Sequence, residues 1–210
     1  CTFEEQVRVL ELTLDEVGDQ LPIVNGVYAD GSLEAARLAR MADVEGASAL
    51  LVFPPNTFSL GAQSRPEMAI KHFEVIAEAT DLPIIVFQYP LASGQGYPLE
   101  TLFQICDVVP SVCAIKDWCN NVQQHERQIQ ALQSLARPVN VLTTHSSWLL
   151  SSLVLGCKGL LSGSGSVIAD LQVALFNAIR EGRLDIAKDL NERIRATADV
   201  FYADPFVDMH

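Results

Sequence analysis

Six short apolar runs, each followed by a longer amphipathic stretch, constrain what this chain can fold into more than any other feature. Residues 21–27, 49–53, 83–87, 112–116, 139–143 and 159–162 have the length and apolar content of strands. Helical spacing of apolar residues follows them over 32–45, 66–79, 98–107, 122–135, 147–155 and 168–181. A further helix over 3–17 precedes the first strand, and another over 184–201 follows the last. A helical crossover returns the chain to the same edge of a sheet, so such strands lie parallel and the class is α/β. Ser32 is placed to cap a helix starting at Leu33. Pro66 and Pro98 suit first-turn positions, and Gly46, Gly156 and Gly182 suit helix ends.

Two parallel architectures fit this rhythm. A closed (β/α)8 barrel needs eight strands, and six are visible. A doubly wound sheet would show a glycine-rich turn after its first strand, and Val24-Asn25-Gly26-Val27-Tyr28 carries no Gly-x-Gly-x-x-Gly. With 210 residues, 49% hydrophobic content and no linker or low-complexity segment, residues 1–210 read as a single domain with one core. The net charge of -12 argues against nucleic acid and anionic membrane surfaces as partners. No apolar run approaches the roughly 18 residues of a membrane span, and the first residues lack the pattern of a signal peptide, so the expected location is the cytoplasm.

The five cysteines, at 1, 106, 113, 119 and 157, form no Cys-x-x-Cys pair, and His72, His125, His145 and His210 show no metal-binding spacing. The expectation is therefore neither disulfide nor metal, and no cofactor. His72 and His125 fall within predicted helices and are expected at the surface. His145, just after the fifth strand, could act as an acid or base near neutrality.

Lys116 stands out because it closes an apolar strand, Ser111-Val112-Cys113-Ala114-Ile115, and is followed at once by Asp117 and Trp118. Burying an ammonium is costly, and two readings account for it. The amine is desolvated, loses basicity and forms a Schiff base with a ketone, or it pairs with Asp117 or reaches out of the strand end to water. In both parallel architectures the ligand lies at the carboxyl ends of the strands, which here carry Asn25, Asn56, Phe87, Tyr89, Lys116, Thr144, His145 and Ser162. Ser162-Gly163-Ser164-Gly165-Ser166 can hold an anion on backbone amides, or serve as a small-residue turn that lets chain and helix pack closely. Trp118 and Trp148, each after a strand end, are expected to fill space at the rim.

Three segments carry a resemblance: Leu82-Pro83-Ile84-Ile85-Val86-Phe87-Gln88-Tyr89-Pro90, Val112-Cys113-Ala114-Ile115-Lys116-Asp117 and Gly156-Cys157-Lys158-Gly159-Leu160-Leu161-Ser162. In order and spacing they resemble the dihydrodipicolinate synthase and N-acetylneuraminate lyase family, and Val24-Asn25-Gly26-Val27 and His72-Phe73 add to it. The resemblance covers nearly the whole chain. It implies a (β/α)8 TIM barrel, seen here as strands 3 to 8 without the first two strands and the C-terminal helices. It further implies a lysine, matched by Lys116, that forms a Schiff base with pyruvate or another 2-keto acid, no cofactor, and a homo-oligomer, tetrameric in the family.

The departures from the family pattern bear on function. Phe87 stands where the family has a tyrosine that shuttles protons, and Ala92 where the synthases have an arginine for a substrate carboxylate. Dihydrodipicolinate synthesis is therefore disfavoured. Tyr89, two residues on and on the same face of an extended chain, can substitute for the missing hydroxyl, as can Thr144 or a water. Asn56, Phe87, Ser162 and Gly163 are the expected substrate contacts. The family's keto-acid carboxylate segment would precede Cys1, so the chain reads as a piece of a longer enzyme, inactive by itself. The expected function is a class I lyase or aldolase on a 2-keto acid and an aldehyde. The alternatives are a non-catalytic keto-acid-binding paralogue and a phosphate-binding barrel enzyme using the 162–166 loop.

Overall fold

A strand forms within each apolar run and helices between, although the first and last strands are shorter than the runs over 21–27 and 159–162. In the computed structural model, which describes residues 1–201, these are β1 (Val24–Val27), β2 (Ala49–Val52), β3 (Ile84–Gln88), β4 (Val112–Asp117), β5 (Asn140–Thr143) and β6 (Gly159–Leu160). The α-helices among the described residues are α1 (Phe3–Val17), α2 (Ser32–Glu45), α3 (Pro66–Ala77), α4 (Leu99–Val108), α5 (Val122–Gln133), α6 (Leu149–Val154), α7 (Gly165–Arg180) and α8 (Leu184–Phe201). Within each unit, strands adjacent in sequence pair in parallel. His210 lies outside the described residues.

The chain divides into two compact units, one of Cys1–Ile115 with Ser134–Val139, the other of Lys116–Gln133 with the chain from Asn140 onward. In the first unit β1 pairs parallel with β2, from Val24↔Ala49 to Val27↔Val52, and β2 with β3, from Leu50↔Ile84 to Val52↔Val86. All five residues of β3 are buried, as a parallel strand covered on both faces requires. Leu50 and Ile84 are fully buried, as are Leu38, Phe73, Ile76, Leu102 and Ile105 from the helices. α1 opens with a capping box, in which Thr2 Oγ1 accepts from the Glu5 amide at 3.2 Å and the Thr2 amide donates to Glu5 Oε2 at 2.7 Å. α2 ends at Gly46, whose φ of +102° is the left-handed geometry that closes a helix at little cost only in glycine. Arg137 anchors the 134–139 segment by donating to the carbonyls of Val112, at 2.7 Å, and Cys106.

In the second unit β5 pairs parallel with β6, Leu142↔Gly159 and Thr143↔Leu160. α7 packs on α8, and Leu149, Leu175 and Ile194 are fully buried. A turn of 3₁₀ helix over Ser146–Trp148 takes the place of the first residues of the helix expected over 147–155.

Three local expectations are corrected. The cap of α2 is Gly31, and Ser32 is the first helical residue, its Oγ 3.0 Å from His72 Nδ1 instead of on the helix N-terminus. His72 and His125 are not surface groups; each is 2% exposed. His72 shares a buried stripe with Ala69, Phe73 and Ile76, and His125 one with Gln128, Ile129 and Leu132. Both stripes have the i, i+3, i+4, i+7 spacing of a core-facing helix, which overrides the polar character of one member. The strand over 112–116 is also not buried on both faces throughout, since Cys113 is exposed.

The rings of Phe58 and Phe73 meet the His72 imidazole edge to face, and burial pushes its pKa from 6.5 down to about 4. As pH falls from 6.5 towards 4, the unfolded chain takes up a proton there that the folded chain refuses, so stability declines across that window. His72→Leu should lose about 2–3 kcal/mol less stability than wild type between neutrality and about pH 4.5. Urea unfolding at the two pH values measures this, and parallel losses in the two proteins would refute it.

Candidate active site

β4 ends in two consecutive ionisable residues, Lys116 at 8% exposure and Asp117 at 1%. The pleat turns successive side chains to opposite faces, so the ammonium and the carboxylate leave the strand on different sides. Burial pulls the Lys116 amine from 10.5 to about 8, because the charged form loses hydration. Both oxygens of Asp117 are engaged: the Cys119 amide donates to Oδ1 at 2.8 Å, and His125 Nδ1 lies 2.7 Å from Oδ2.

Other predicted site residues of the second unit are Thr144, Ser162 and Gly163. Thr144 is buried just past the end of β5. Ser162 belongs to an internal network in which the Gln172 side-chain amide donates to Ser162 Oγ at 3.2 Å and to buried Ser164 Oγ at 2.9 Å. Ser162 and Ser164 hydroxyls are themselves 3.1 Å apart, and Gly163 is exposed with open space where a Cβ would stand. Gly165 Cα faces Gln172, and a Cβ there would lie 3.2 Å from its Oε1. These contacts fit the close-packed turn, the second of the two readings of the loop. Burial lowers the pKa of half-buried His145, whose ring meets Trp148 edge to face at 5.4 Å. Trp148 also stacks on His125, with centroids 5.7 Å apart and planes 18° apart, so it does more than fill the rim.

In the first unit Phe87 and Tyr89 come together as the period of two requires, their rings edge to face at 4.8 Å. They complete a ladder in which Phe53 meets Phe87 at 5.0 Å and Tyr28 meets Phe53 at 5.8 Å, at the carboxyl ends of β1, β2 and β3. Burial raises the pKa of the Tyr89 phenol, which keeps it protonated at neutral pH. Asn56 is exposed but engaged: its side-chain amide donates to Tyr28 Oη at 2.6 Å, and its backbone amide to Asp30 Oδ1 at 2.7 Å.

The loop after β3 is held against the strand end by backbone contacts. Buried Gln88 clamps Tyr97, donating from Nε2 to its carbonyl and accepting its amide on Oε1, both at 2.8 Å. Gln63 donates to the carbonyls of Leu91 and Gly96. Gly96 has no substitute, since a Cβ would sit 2.3 Å from the Tyr89 carbonyl oxygen. Sequence reasoning missed this clamp, and it also missed Cys119 and Cys157, which lie against the Asp117–His125 pair. A cavity of about 570 Å³ lined by Cys106, Asp107 and Arg137 lies at the amino end of β4, the end opposite Lys116.

The chain is thus an α/β protein of parallel βα units with a buried lysine at the carboxyl end of a strand, the end at which such folds place their ligands. The model of the dihydrodipicolinate synthetase family matches residues 1–209, and the chain belongs to that family. It is 29% identical over 196 residues to the 4-hydroxy-tetrahydrodipicolinate synthase of Chlorobium limicola, covering 92% of this chain and 63% of that protein. It is 24% identical over 206 residues to the Escherichia coli protein named "Probable 2-dehydro-3-deoxy-D-pentonate aldolase YjhH", covering 98% and 67%. The chain thus spans a little under two thirds of the length of the first of these. Among solved structures, YagE, a prophage protein of this family from Escherichia coli K12 in complex with pyruvate, shares the fold with a TM-score of 0.89 at 23% identity, over 99% of this chain and 69% of that one. The Aquifex aeolicus dihydrodipicolinate synthase does so with a TM-score of 0.86 at 22% identity, over 98% and 68%.

Gln88→Leu removes both partners of a buried backbone N–H and C=O, each costing about 1–3 kcal/mol when orphaned. The expected loss of folding stability is about 2–4 kcal/mol by chemical denaturation. A loss under about 0.5 kcal/mol would show that the clamp does not hold the loop.

Proposed function

We propose that the protein is a lyase or aldolase that works through a Schiff base between Lys116 and pyruvate or another 2-keto acid. The reading is carried by one observation: in a chain matched along residues 1–209 by the dihydrodipicolinate synthetase family, Lys116 is buried at the carboxyl end of β4. On this reading the six strands correspond to strands 3 to 8 of a (β/α)8 barrel, and β4 to the sixth. The protein is read as a cytoplasmic homo-oligomer, tetrameric as the resemblance implies.

The amine, with a pKa near 8, is uncharged in roughly a tenth of molecules at neutral pH, far more than an exposed lysine. Its nitrogen attacks the ketone carbon C2 and the carbinolamine loses water; as a base takes the C4 hydroxyl proton, the C3–C4 bond breaks, C4 leaves as the aldehyde, and the iminium accepts the electron pair as an enamine, which a proton at C3 returns to the imine. Water then hydrolyses the imine and frees the amine. Tyr89 and Thr144 are the proposed proton carriers, and Tyr89, protonated at neutral pH, starts as a donor. Phe87, Asn56, Ser162 and Gly163 are proposed as substrate contacts, with Asn56 acting through its hold on Tyr28. A second reading, a keto-acid-binding protein without turnover, draws support from Phe87, whose ring offers no hydroxyl.

Borohydride reduction in the presence of pyruvate should give a single adduct on Lys116 by peptide mass spectrometry, and Lys116→Ala should give none while melting no lower than wild type by more than a few degrees. No adduct on the wild-type protein overturns the covalent reading. An adduct without turnover on any 2-keto acid supports the binding protein instead.

The aromatic ladder Tyr28, Phe53, Phe87 and Tyr89 favours a neutral acceptor, because a carboxylate desolvated against ring faces loses several kcal/mol of hydration. With pyruvate held constant, kcat/KM should be about tenfold or more higher for neutral aldehydes than for aldehydes bearing a carboxylate. The opposite preference would refute this specificity.

A further inference from the structure

The second unit gathers a carboxylate, a thiol and an imidazole at the end of β4. Asp117, Cys119 and His125 each offer one donor atom, and these atoms all lie within 4.8 Å of one another. The three residues are 1%, 3% and 2% exposed. Asp117 comes from the strand end and His125 from the first turn of α5. Between them the chain reverses through Asn120, whose φ of +54° is the only positive value at a non-glycine among the described residues. Asn121 then fixes α5: its carbonyl accepts from the His125 amide at 2.9 Å and its Oδ1 from the Gln124 amide at 2.9 Å. The imidazole is held from every side, by Asp117 on Nδ1, by Cys157 Sγ at 3.6 Å from Nε2, and by the stacked ring of Trp148.

We propose that Asp117, Cys119 and His125 bind a divalent transition-metal ion of the zinc type. One thiolate, one imidazole and one carboxylate form a donor set that suits a borderline ion, whereas calcium and magnesium demand oxygen ligands throughout. Bonds of about 2.0–2.3 Å place tetrahedral ligand atoms about 3.2–3.8 Å apart. The cluster therefore contracts modestly, while the 2.7 Å Asp117–His125 contact opens by about half an ångström. On binding, Cys119 gives its thiol proton to solvent and leaves the Asn121 carbonyl that its Sγ contacts at 3.2 Å. His125 binds through Nδ1 as a neutral ring, its proton moving to Nε2 and pointing at the Cys157 sulfur, an outer-shell contact of the kind that orients metal-bound histidines. Net, one proton leaves for each ion bound, and a fourth tetrahedral position remains for a small ligand. The ion ties the end of β4 to the first turn of α5. It uses no group assigned a role in the Lys116 chemistry, so the two readings stand or fall separately.

The test uses the chelator-stripped chain in a Cys1→Ser background, which removes the exposed thiol at the terminus, with Co(II) as the probe. One equivalent of Co(II) should produce thiolate-to-metal charge-transfer absorption with the intense visible bands of a tetrahedral site, and Zn(II) should displace it. Cys119→Ser should abolish the charge-transfer band and His125→Gln should weaken binding about 100-fold or more, whereas Cys157→Ser should keep the band. X-ray absorption of the Zn(II)-loaded protein should show one sulfur among nitrogen and oxygen neighbours, a readout that needs no variant to fold. No charge-transfer band in the protein with Cys119 intact, a band that survives in a folded Cys119→Ser variant, or a zinc shell with no sulfur or with several would each overturn the proposal.

Discussion

The pleat at the end of β4 is the constraint on which the rest depends. Although Cys113 is exposed, β4 is covered on both faces at its carboxyl end, so two consecutive ionisable residues there are both taken out of water, on opposite sides. For Asp117 the cost is offset by the Cys119 amide and by His125, both within hydrogen-bonding distance. For Lys116 the cost appears as lost basicity. Exchanging the order of the two residues would put the carboxylate where the amine is and leave His125 facing an ammonium. The strand thus encodes in two positions both a buried amine of lowered basicity and the anchor of the helix that follows.

The strand end before it is held differently. β3 finishes in fully buried Gln88, which grips the backbone of Tyr97, while Phe87 and Tyr89 on the opposite face of the strand join the aromatic ladder. The clamp turns the 91–97 loop back on itself so closely that residue 96 must be glycine. The clamped loop packs its backbone against the Tyr89 carbonyl and so fixes the chain at the end of β3. The same principle of backbone capture recurs at Arg137, whose guanidinium takes two carbonyls at once.

The hydroxyl-rich loop over 162–166 and the donor cluster at Asp117 reverse what composition suggests about each. The serines look like an anion cradle, yet the Gln172 side chain takes both Ser162 and Ser164 as acceptors and draws Ser164 into the interior. The cysteines show no ligand spacing, yet Cys119 meets a carboxylate and an imidazole because the left-handed turn at Asn120 folds the strand end back towards the helix. In both places the deciding contact joins residues on different elements, which neither spacing nor composition registers.

By itself the sequence determined the succession of elements; α1 and α2 have the bounds that apolar periodicity assigns them, and α8 begins where it places it. It also placed Lys116 at a strand end and carried the family resemblance that the match over residues 1–209 bears out. These features are local, since helix and strand periods, glycine ends and a charge closing an apolar run can each be read within one segment. Tertiary structure alone decided that Ser32 turns from its own helix to His72, forty residues away, that His72 and His125 join the core stripes of their helices, and that Gln88 reaches Tyr97. The reason is physical: a polar side chain in an apolar stripe is buried only if docking supplies a partner, and which partner arrives is set by how strands and helices pack, not by the residues beside it in the chain.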